Sequence, residues 1–318
     1  MSIVWKPIEP DHAPAWAELS NVLARSDDTD EFYEPEDLVE ELGEPGVNPV
    51  TDTLGGWDGD TMVAYGQLRV ASSLTDRETK ASLAGGVHPG WRGRGLGRAV
   101  MDWIEPRADG LAQERYPGAP VVWSVWCGKP GSSAERLASS RGYSPARYFR
   151  DMRLDLGAWE APAPAAAAAV GSPVSPGMAE ALRRAHNEAF ADHWGSSERS
   201  PALWADQLAA RSFRALMSRA ALSADPALAP EDAVDAYVLS SEFVTGELYI
   251  ALVGTRRRAR GRGLATALLT EVLAAARDAG YRQVDLGVDS ASPTGALGLY
   301  ERVGFSPVRT NVVYECRR

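Results

Sequence analysis

Leu248-Tyr249-Ile250-Ala251-Leu252-Val253-Gly254-Thr255-Arg256-Arg257-Arg258-Ala259-Arg260-Gly261-Arg262-Gly263-Leu264-Ala265 decides the fold. A short run of bulky apolar residues that ends at a turn signal reads as a buried strand. After the turn, Leu264, Leu268, Leu269, Val272 and Leu273 form one stripe at helical spacing, which Gly280 closes, so a helix is predicted over 264–279. Gly261 and Gly263 allow the backbone to approach a ligand closely. The unpaired amides of the first helical turn favour an anion there, by roughly 0.3–1 kcal/mol from the helix dipole. Arg260 and Arg262 add formal charge, so the stretch is an anion cradle.

Two common phosphate motifs do not fit. No Gly-Lys-Ser/Thr ends the turn, and Gly261, Gly263 and Leu264 do not supply the three glycines of a dinucleotide fingerprint. What remains, Arg260-x-x-Gly263-x-Ala265 after a strand, resembles the acetyl-CoA motif of the GCN5-related N-acetyltransferases (GNAT). Val87-His88-Pro89-Gly90-Trp91-Arg92-Gly93-Arg94-Gly95-Leu96-Gly97 supplies a second copy, Arg92-x-x-Gly95-x-Gly97. The resemblance implies that Leu252, Val253, Gly254 and Thr255 pair with the pantetheine arm of acetyl-CoA. It implies that the backbone from Arg260 through Gly261, Arg262, Gly263, Leu264 and Ala265 to Thr266 holds the pyrophosphate. Val87, Arg92, Gly93, Gly95, Leu96 and Gly97 form the corresponding second candidate site.

The two motifs stand 168 residues apart, and two further landmarks repeat at a similar offset. Pro7-Ile8-Glu9-Pro10 before a helix matches Pro173-Val174-Ser175-Pro176, 166 residues on, and Arg141-Gly142-Tyr143 matches Val303-Gly304-Phe305. The chain is therefore expected to be a tandem duplication: an N-terminal domain over 1–157, a linker over 158–168 marked by Ala-Pro repeats and five alanines, and a C-terminal domain over 169–318. Neither copy shows strict βαβ alternation, which leaves α+β or mixed α/β. By resemblance each copy is a mostly antiparallel mixed sheet flanked by helices, with two neighbouring strands splayed to admit the cofactor.

In the first copy, strands are expected over 3–8, 54–57, 62–70, 82–87 and 121–126, with a closing strand pair over 143–156. Helices are expected over 13–25, 98–113 (kinked or ended by Pro106) and 134–140. An acidic stretch from Asp27 to Glu41 reads as a solvated loop and helix face, or as a lip drawing in a cationic substrate. In the second copy, helices are expected over 201–216 and 296–303, and strands over 237–243, 247–253, 283–288 and 308–316.

Acetyl transfer to an amine needs a deprotonated amine, a carbonyl carbon within attack distance and a stabilised thiolate. Ala296-Leu297-Gly298-Leu299-Tyr300-Glu301-Arg302-Val303-Gly304-Phe305 resembles the family's Leu-Tyr-Glu-x-x-Gly-Phe. This implies that Tyr300 is the acid. The same register puts Ala138 in the first copy, which is therefore expected to be catalytically silent. Ser292 stands where family members often carry an asparagine on the cofactor arm. Glu247 opens the strand leading into the cradle and, by alternation, shares a face with Tyr249, Ala251 and Val253. Glu247 is the candidate base, with Glu242 and Asp192 in reserve and His193 as a candidate substrate contact.

No Ser-His-Asp or Cys-His set and no metal-ligand cluster is evident, so no metal is expected. The net charge of −10 argues against nucleic acid as a partner and is compatible with a cationic substrate. No apolar run of membrane-spanning length and no signal peptide is seen. Cys127 and Cys316 lie far apart and read as reduced thiols, so a cytoplasmic protein, a monomer or homodimer without a membrane partner, is expected. The expected reaction is acetylation of a primary amine on a small molecule, such as an aminosugar or an aminoglycoside-type antibiotic. A non-catalytic acyl-CoA-binding module and a protein-lysine acetyltransferase are the alternatives.

Overall fold

A computed structural model describes residues 3–162, 171–292 and 295–318. Most of the expected linker, and the point of re-entry at 169–170, lie outside the described residues. The elements run, in order, β1 (Val4–Lys6), α1 (Ala13–Asp27), α2 (Pro35–Leu42), α3 (Pro49–Asp52), β2 (Thr53–Asp58), β3 (Thr61–Val70), β4 (Thr79–Val87), α4 (Leu96–Arg115), β5 (Val121–Trp126), α5 (Ser133–Ser140) and β6 (Ser144–Asp155). The repeat follows as β7 (Ser172–Pro173), α6 (Ala179–Ala189), α7 (Pro201–Ala209), β8 (Arg219–Leu222), β9 (Val234–Val244), β10 (Glu247–Thr255), α8 (Leu264–Asp278), β11 (Gln283–Asp289), α9 (Ala296–Val303) and β12 (Ser306–Arg317). No described helix is long and apolar enough to cross a membrane. Both cysteines are free.

The chain divides into two compact units. One comprises Met1–Tyr148 with Thr310–Arg318, the other Phe149–Arg309. Relative to a division at the linker, each unit takes the end of the other repeat's last strand. The reason lies in β6 and β12. The expected closing strand pair over 143–156 is a single strand, with neither glycine nor proline within 147–155 to turn it. Its second half pairs antiparallel with β11, Asp285 facing Arg153 and Asp289 facing Phe149. The end of β12 pairs with β5 in the first unit, Val313 facing Trp126. The strand order is β1-β2-β3-β4-β5-β12 in the first unit and β6-β11-β10-β9-β8-β7 in the second. Within the units, β4–β5 and β10–β11 are the parallel pairs and the others are antiparallel.

Two other expectations are corrected. Pro106 neither ends nor shortens α4, whose stripe of Val100, Met101, Ile104, Ala108, Leu111 and Ala112 stays buried on both sides of it. Helix α7 stops at Ala209, seven residues early. Beyond it Ser212 and Arg214 give their backbone groups to Glu242 and Ser240 of β9. The acidic stretch becomes α2, whose N-terminal amide at Glu34 is capped by Asp37. Several of its neighbours are paired within the first unit: Asp27 with Arg92, and Glu41 and Glu44 with Arg69.

Helix α8 buries Leu268, Leu269, Val272 and Leu273 completely, against Leu248 and Ile250 of β10, Val284 and Leu286 of β11, and Met152 and Leu154 of β6. Burying each such side chain is worth about 1.5–3 kcal/mol as an upper estimate, which fixes α8 on that face. The opposite face of the same three strands is left for Glu247, Tyr249, Gln283, Asp285, Gly287, Asp151 and Arg153.

Candidate active site

In the second unit the chain leaves β10 at Thr255, makes a single turn of 3₁₀ helix over Arg257–Ala259, and enters α8 through Gly261 (φ +74°) and Gly263 (φ +75°). Both glycines sit in the left-handed region, where a side chain would strain the backbone. An added Cβ would meet nothing within 4 Å at either position, so the space over the turn is open. Gly263 is the N-cap and no side chain caps the helix, which leaves the amides of Leu264, Ala265 and Thr266 as donors towards that space. The residues therefore fit a diphosphate. The first unit repeats this geometry with Gly93 (φ +77°) and Gly95 (φ +86°), the uncapped N-cap of α4.

The arginine of each motif has a part that its sequence position does not reveal. Arg260 Nε donates to the Thr255 carbonyl at 3.3 Å and Nη2 donates to the Ala189 carbonyl at 3.3 Å. In the first copy Arg92 Nε donates to the Val87 carbonyl at 3.0 Å, and its other nitrogens form a two-bond pair with Asp27. Both side chains brace the turn back onto the last residue of the strand. Arg262, 55 % exposed with one ion pair to Asp235, is the more open cation of the second cradle.

The units differ in how far the strands beside the cradle are closed. In the second, β10 pairs with β11 only from Glu247 to Tyr249; beyond that the strands part, leaving a wedge from Ile250 to Thr255. The β9–β10 register also shifts between Ile250 and Leu252. This irregularity breaks the expected face-sharing: Leu252 turns to the core against α6 and α7, and Val253 packs with Leu248 and Ile250 on the α8 face, away from Tyr249. In the first unit the parallel pairs run from Thr79 to Leu83, two residues further, and β3–β4 keeps an unbroken register.

Tyr300, on α9 after β11, is 8 % exposed and packs edge-on to Phe305 at 6.0 Å. Its hydroxyl has no hydrogen-bond partner among the described residues. Burial, with a contribution from nearby Tyr249, pushes its ionisation well above the ordinary phenol range, so it stays protonated at neutral pH. At its place in the first unit stands Ala138, buried against α4 and β5.

The Glu247 carboxylate accepts from Gln283 Nε2 at 2.9 Å and lies 3.6 Å from Arg282. Gln283 also donates to Asp285, which pairs with Arg153 at 2.7 Å. The reserve residues are more fully engaged. Glu242 accepts from Arg214 (2.7 Å), Tyr281 (2.7 Å) and the Gly246 amide (3.0 Å), and these bonds hold its carboxyl below the usual range against the opposing effect of burial, the largest influence on it. Asp192 pairs with Arg257, and His193 Nδ1 lies 3.1 Å from the carbonyl of Trp194. A pair that sequence reading missed supports the cradle from behind. Tyr237, fully buried, lies beneath Gly254, with its hydroxyl 2.8 Å from His186 Nδ1. Burial lowers His186 to about 4, so the imidazole is neutral.

An amide-lined anion nest at the head of a helix, beside a sheet that opens into a wedge, defines an acyl-CoA-dependent transferase. Residues 181–305 match the model of the acetyltransferase (GNAT) family. A mycothiol acetyltransferase of Thermobispora bispora is 30 % identical over 81 % of this chain and 81 % of its own length. Among solved structures, a GCN5-related N-acetyltransferase from Sphaerobacter thermophilus superposes with a TM-score of 0.76 at 27 % identity, covering 99 % of this chain and 95 % of its own. A tandem GNAT protein from the clavulanic acid biosynthesis pathway superposes with a TM-score of 0.71 at 18 % identity, over 99 % and 98 %. The chain belongs to the GNAT acetyltransferases: it is an N-acetyltransferase and a tandem member with the layout of mycothiol synthase.

Proposed function

We propose that the chain transfers the acetyl group of acetyl-CoA to a primary amine of a small molecule, and that the second unit does the chemistry. The observation that carries this reading is the Tyr300 hydroxyl, kept protonated by burial and without a hydrogen-bond partner among the described residues, on the helix that follows the strand flanking the open wedge. The amides of Leu264, Ala265 and Thr266 hold the diphosphate, the wedge edge over Leu252, Val253, Gly254 and Thr255 takes the pantetheine arm, and Ser292 hydrogen-bonds that arm. The amine nitrogen attacks the thioester carbon, its proton passes through water to Glu247, and the carbon–sulfur bond breaks. Tyr300 donates a hydrogen bond to the leaving sulfur. A thiol titrates near ~8.5 and a phenol higher, so Tyr300 stabilises the thiolate more than it surrenders its proton.

Several features support a silent first unit. Its wedge is zipped two residues further, Ala138 replaces the tyrosine, and Thr79 occupies the place of Glu247. Its cradle keeps the backbone to hold a diphosphate. A second reading, acetylation of a mycothiol-type amine, is favoured by the names and coverage of the curated relatives. The test is acetyl-CoA-dependent thiol release over aminosugars, aminoglycosides, polyamines, amino acids and a mycothiol precursor. Release with none of them, alongside measurable acetyl-CoA binding, would leave an acyl-CoA-binding module instead.

A further inference from the structure

On the face of the second unit opposite α8, a row of polar side chains runs across β10, β11 and β6. The β10–β11 pairing sets Glu247 beside Gln283, and the β11–β6 pairing sets Asp285 beside Arg153. Gln283 Nε2 uses both its hydrogens, one on Glu247 Oε2 at 2.9 Å and one on Asp285 Oδ2 at 2.9 Å. An amide oxygen in that place would gather three acceptors with no hydrogen among them, so the chemistry fixes which end of the amide faces the carboxylates. At the far end of the row, Arg153 Nε donates to Asp285 Oδ1 at 2.7 Å. Glu247 is therefore held by one oxygen. Its Oε1 makes no hydrogen bond among the described residues, and its ion-pair partner, Arg282 Nη2 at 3.6 Å, belongs to a side chain 73 % exposed.

The first unit shows what this row prevents. Val121 and Trp123 of β5 pack with the buried stripe of α4, so Val122 faces the other side, opposite Arg317 of β12, as Asp285 stands opposite Arg153. With valine in that place, β5 offers Arg317 no carboxylate. Arg317 Nε instead reaches across two strands to Glu78, just before β4, at 3.4 Å, and Lys80 Nζ lies 3.4 Å from the same carboxylate. A carboxylate beside two cations is a weak base, because both favour its charged form. The second unit keeps the arginine and occupies it elsewhere. We propose that Asp285 and Gln283 are positioning residues for Glu247: Asp285 holds Arg153 away from it, and Gln283 fills the interval and leaves Oε1 to the water that carries the amine's proton. This rests on the acetyl-transfer reading above, in which Glu247 is the base.

The test follows the Glu247 carboxyl carbon by NMR in the intact chain, its signal assigned by its loss in Glu247→Gln. Gln283→Met removes a donor to the charged form and should move the titration midpoint up by about half a pH unit or more. Asp285→Val, which copies the first unit, releases Arg153 and removes a like charge, and should move the midpoint down by about as much. Asp285→Asn keeps the shape and should also move it down, which covers the case in which Asp285→Val unfolds. A row that served packing alone would not give shifts of opposite sign. Unmoved midpoints, or shifts of one sign in all variants, overturn the proposal. Thiol release from acetyl-CoA with spermidine, glucosamine and kanamycin is read separately. Release by Glu247→Gln at the wild-type rate, with the opposite shifts present, keeps the charge arrangement and removes Glu247 as the base; unmoved midpoints with release lost in Glu247→Gln do the reverse.

Discussion

Gly254 is the position at which a single methyl group should separate cofactor binding from the rest of the fold. A Cβ there would lie 2.4 Å from Tyr237 Cε1 and 2.5 Å from both Cζ and Oη. Ordinary carbon contacts are about 3.5–4.0 Å, so Gly254→Ala must open a gap of about 1 Å. Tyr237 cannot yield: it is 0 % exposed, and its hydroxyl is tied to His186, which is itself packed on Trp204 and Phe190. The end of β10 must therefore move. Overpacking of this kind costs about 1–3 kcal/mol, and a displacement of about 1 Å in a positioning strand can cost up to ~10²-fold in rate. Urea denaturation and the KM for acetyl-CoA check the two parts. Stability should fall by ~2 kcal/mol, and the KM should rise more than roughly tenfold. Substituting Tyr237→Leu in a double-mutant cycle should recover part of both losses. Gly254→Ala with stability within about 0.5 kcal/mol of wild type and an unchanged KM would refute the idea that Tyr237 sets the height of the strand.

Tyr300→Phe should lower kcat by ~10²-fold or more while leaving acetyl-CoA affinity, measured by calorimetry, nearly unchanged; an equal loss of both would assign Tyr300 to packing. His186 gives a pH signature. Its folded pKa, lowered by burial to about 4, lies below the unfolded value. The unfolded chain thus takes up the proton first, and stability present above pH ~6.5 is lost as the pH falls towards 4, by on the order of 3 kcal/mol. Urea midpoints between those pH values should fall steeply in the wild type and less steeply in His186→Asn. In the first unit Glu105 is 7 % exposed and accepts from Arg141 Nε (2.9 Å), Arg141 Nη2 (2.6 Å) and Tyr143 (3.1 Å). Glu105→Ala should cost ~2–3 kcal/mol by denaturation, at the low end for a broken buried pair, because Arg141 keeps its exposed partner Asp102.

What could be read beforehand was local. Gly261 and Gly263 are legible because only glycine takes left-handed backbone without strain, and the stripe from Leu264 to Leu273 repeats at the helical period. What escaped was set by partners distant in sequence. Nothing in Tyr148-Phe149-Arg150-Asp151 marks where a strand passes from one unit to the other, since both halves are equally extended. The register shift at Ile250–Leu252 is hidden because Leu248, Ile250, Leu252 and Val253 are apolar on either face, so alternation gave the wrong side for Val253. Gly254 did carry a signal, a glycine inside a strand where another group approaches closely, but Tyr237 could be named as that group only from the fold.

The two copies show that an anion nest and an open wedge are separable properties of one fold. The nest depends on two residues at positive φ and an uncapped helix, conditions that Gly93 and Gly95 meet as well as Gly261 and Gly263 do. The wedge depends on where parallel pairing stops. In the first unit the ladder continues two residues further, and unbroken pairing with β3 holds β4 flat. In the second, the irregular register against β9 and the Tyr237 ring under Gly254 accompany the strand's departure from β11. The first copy thus differs from the second by two rungs of sheet and an alanine, with no glycine of the nest lost.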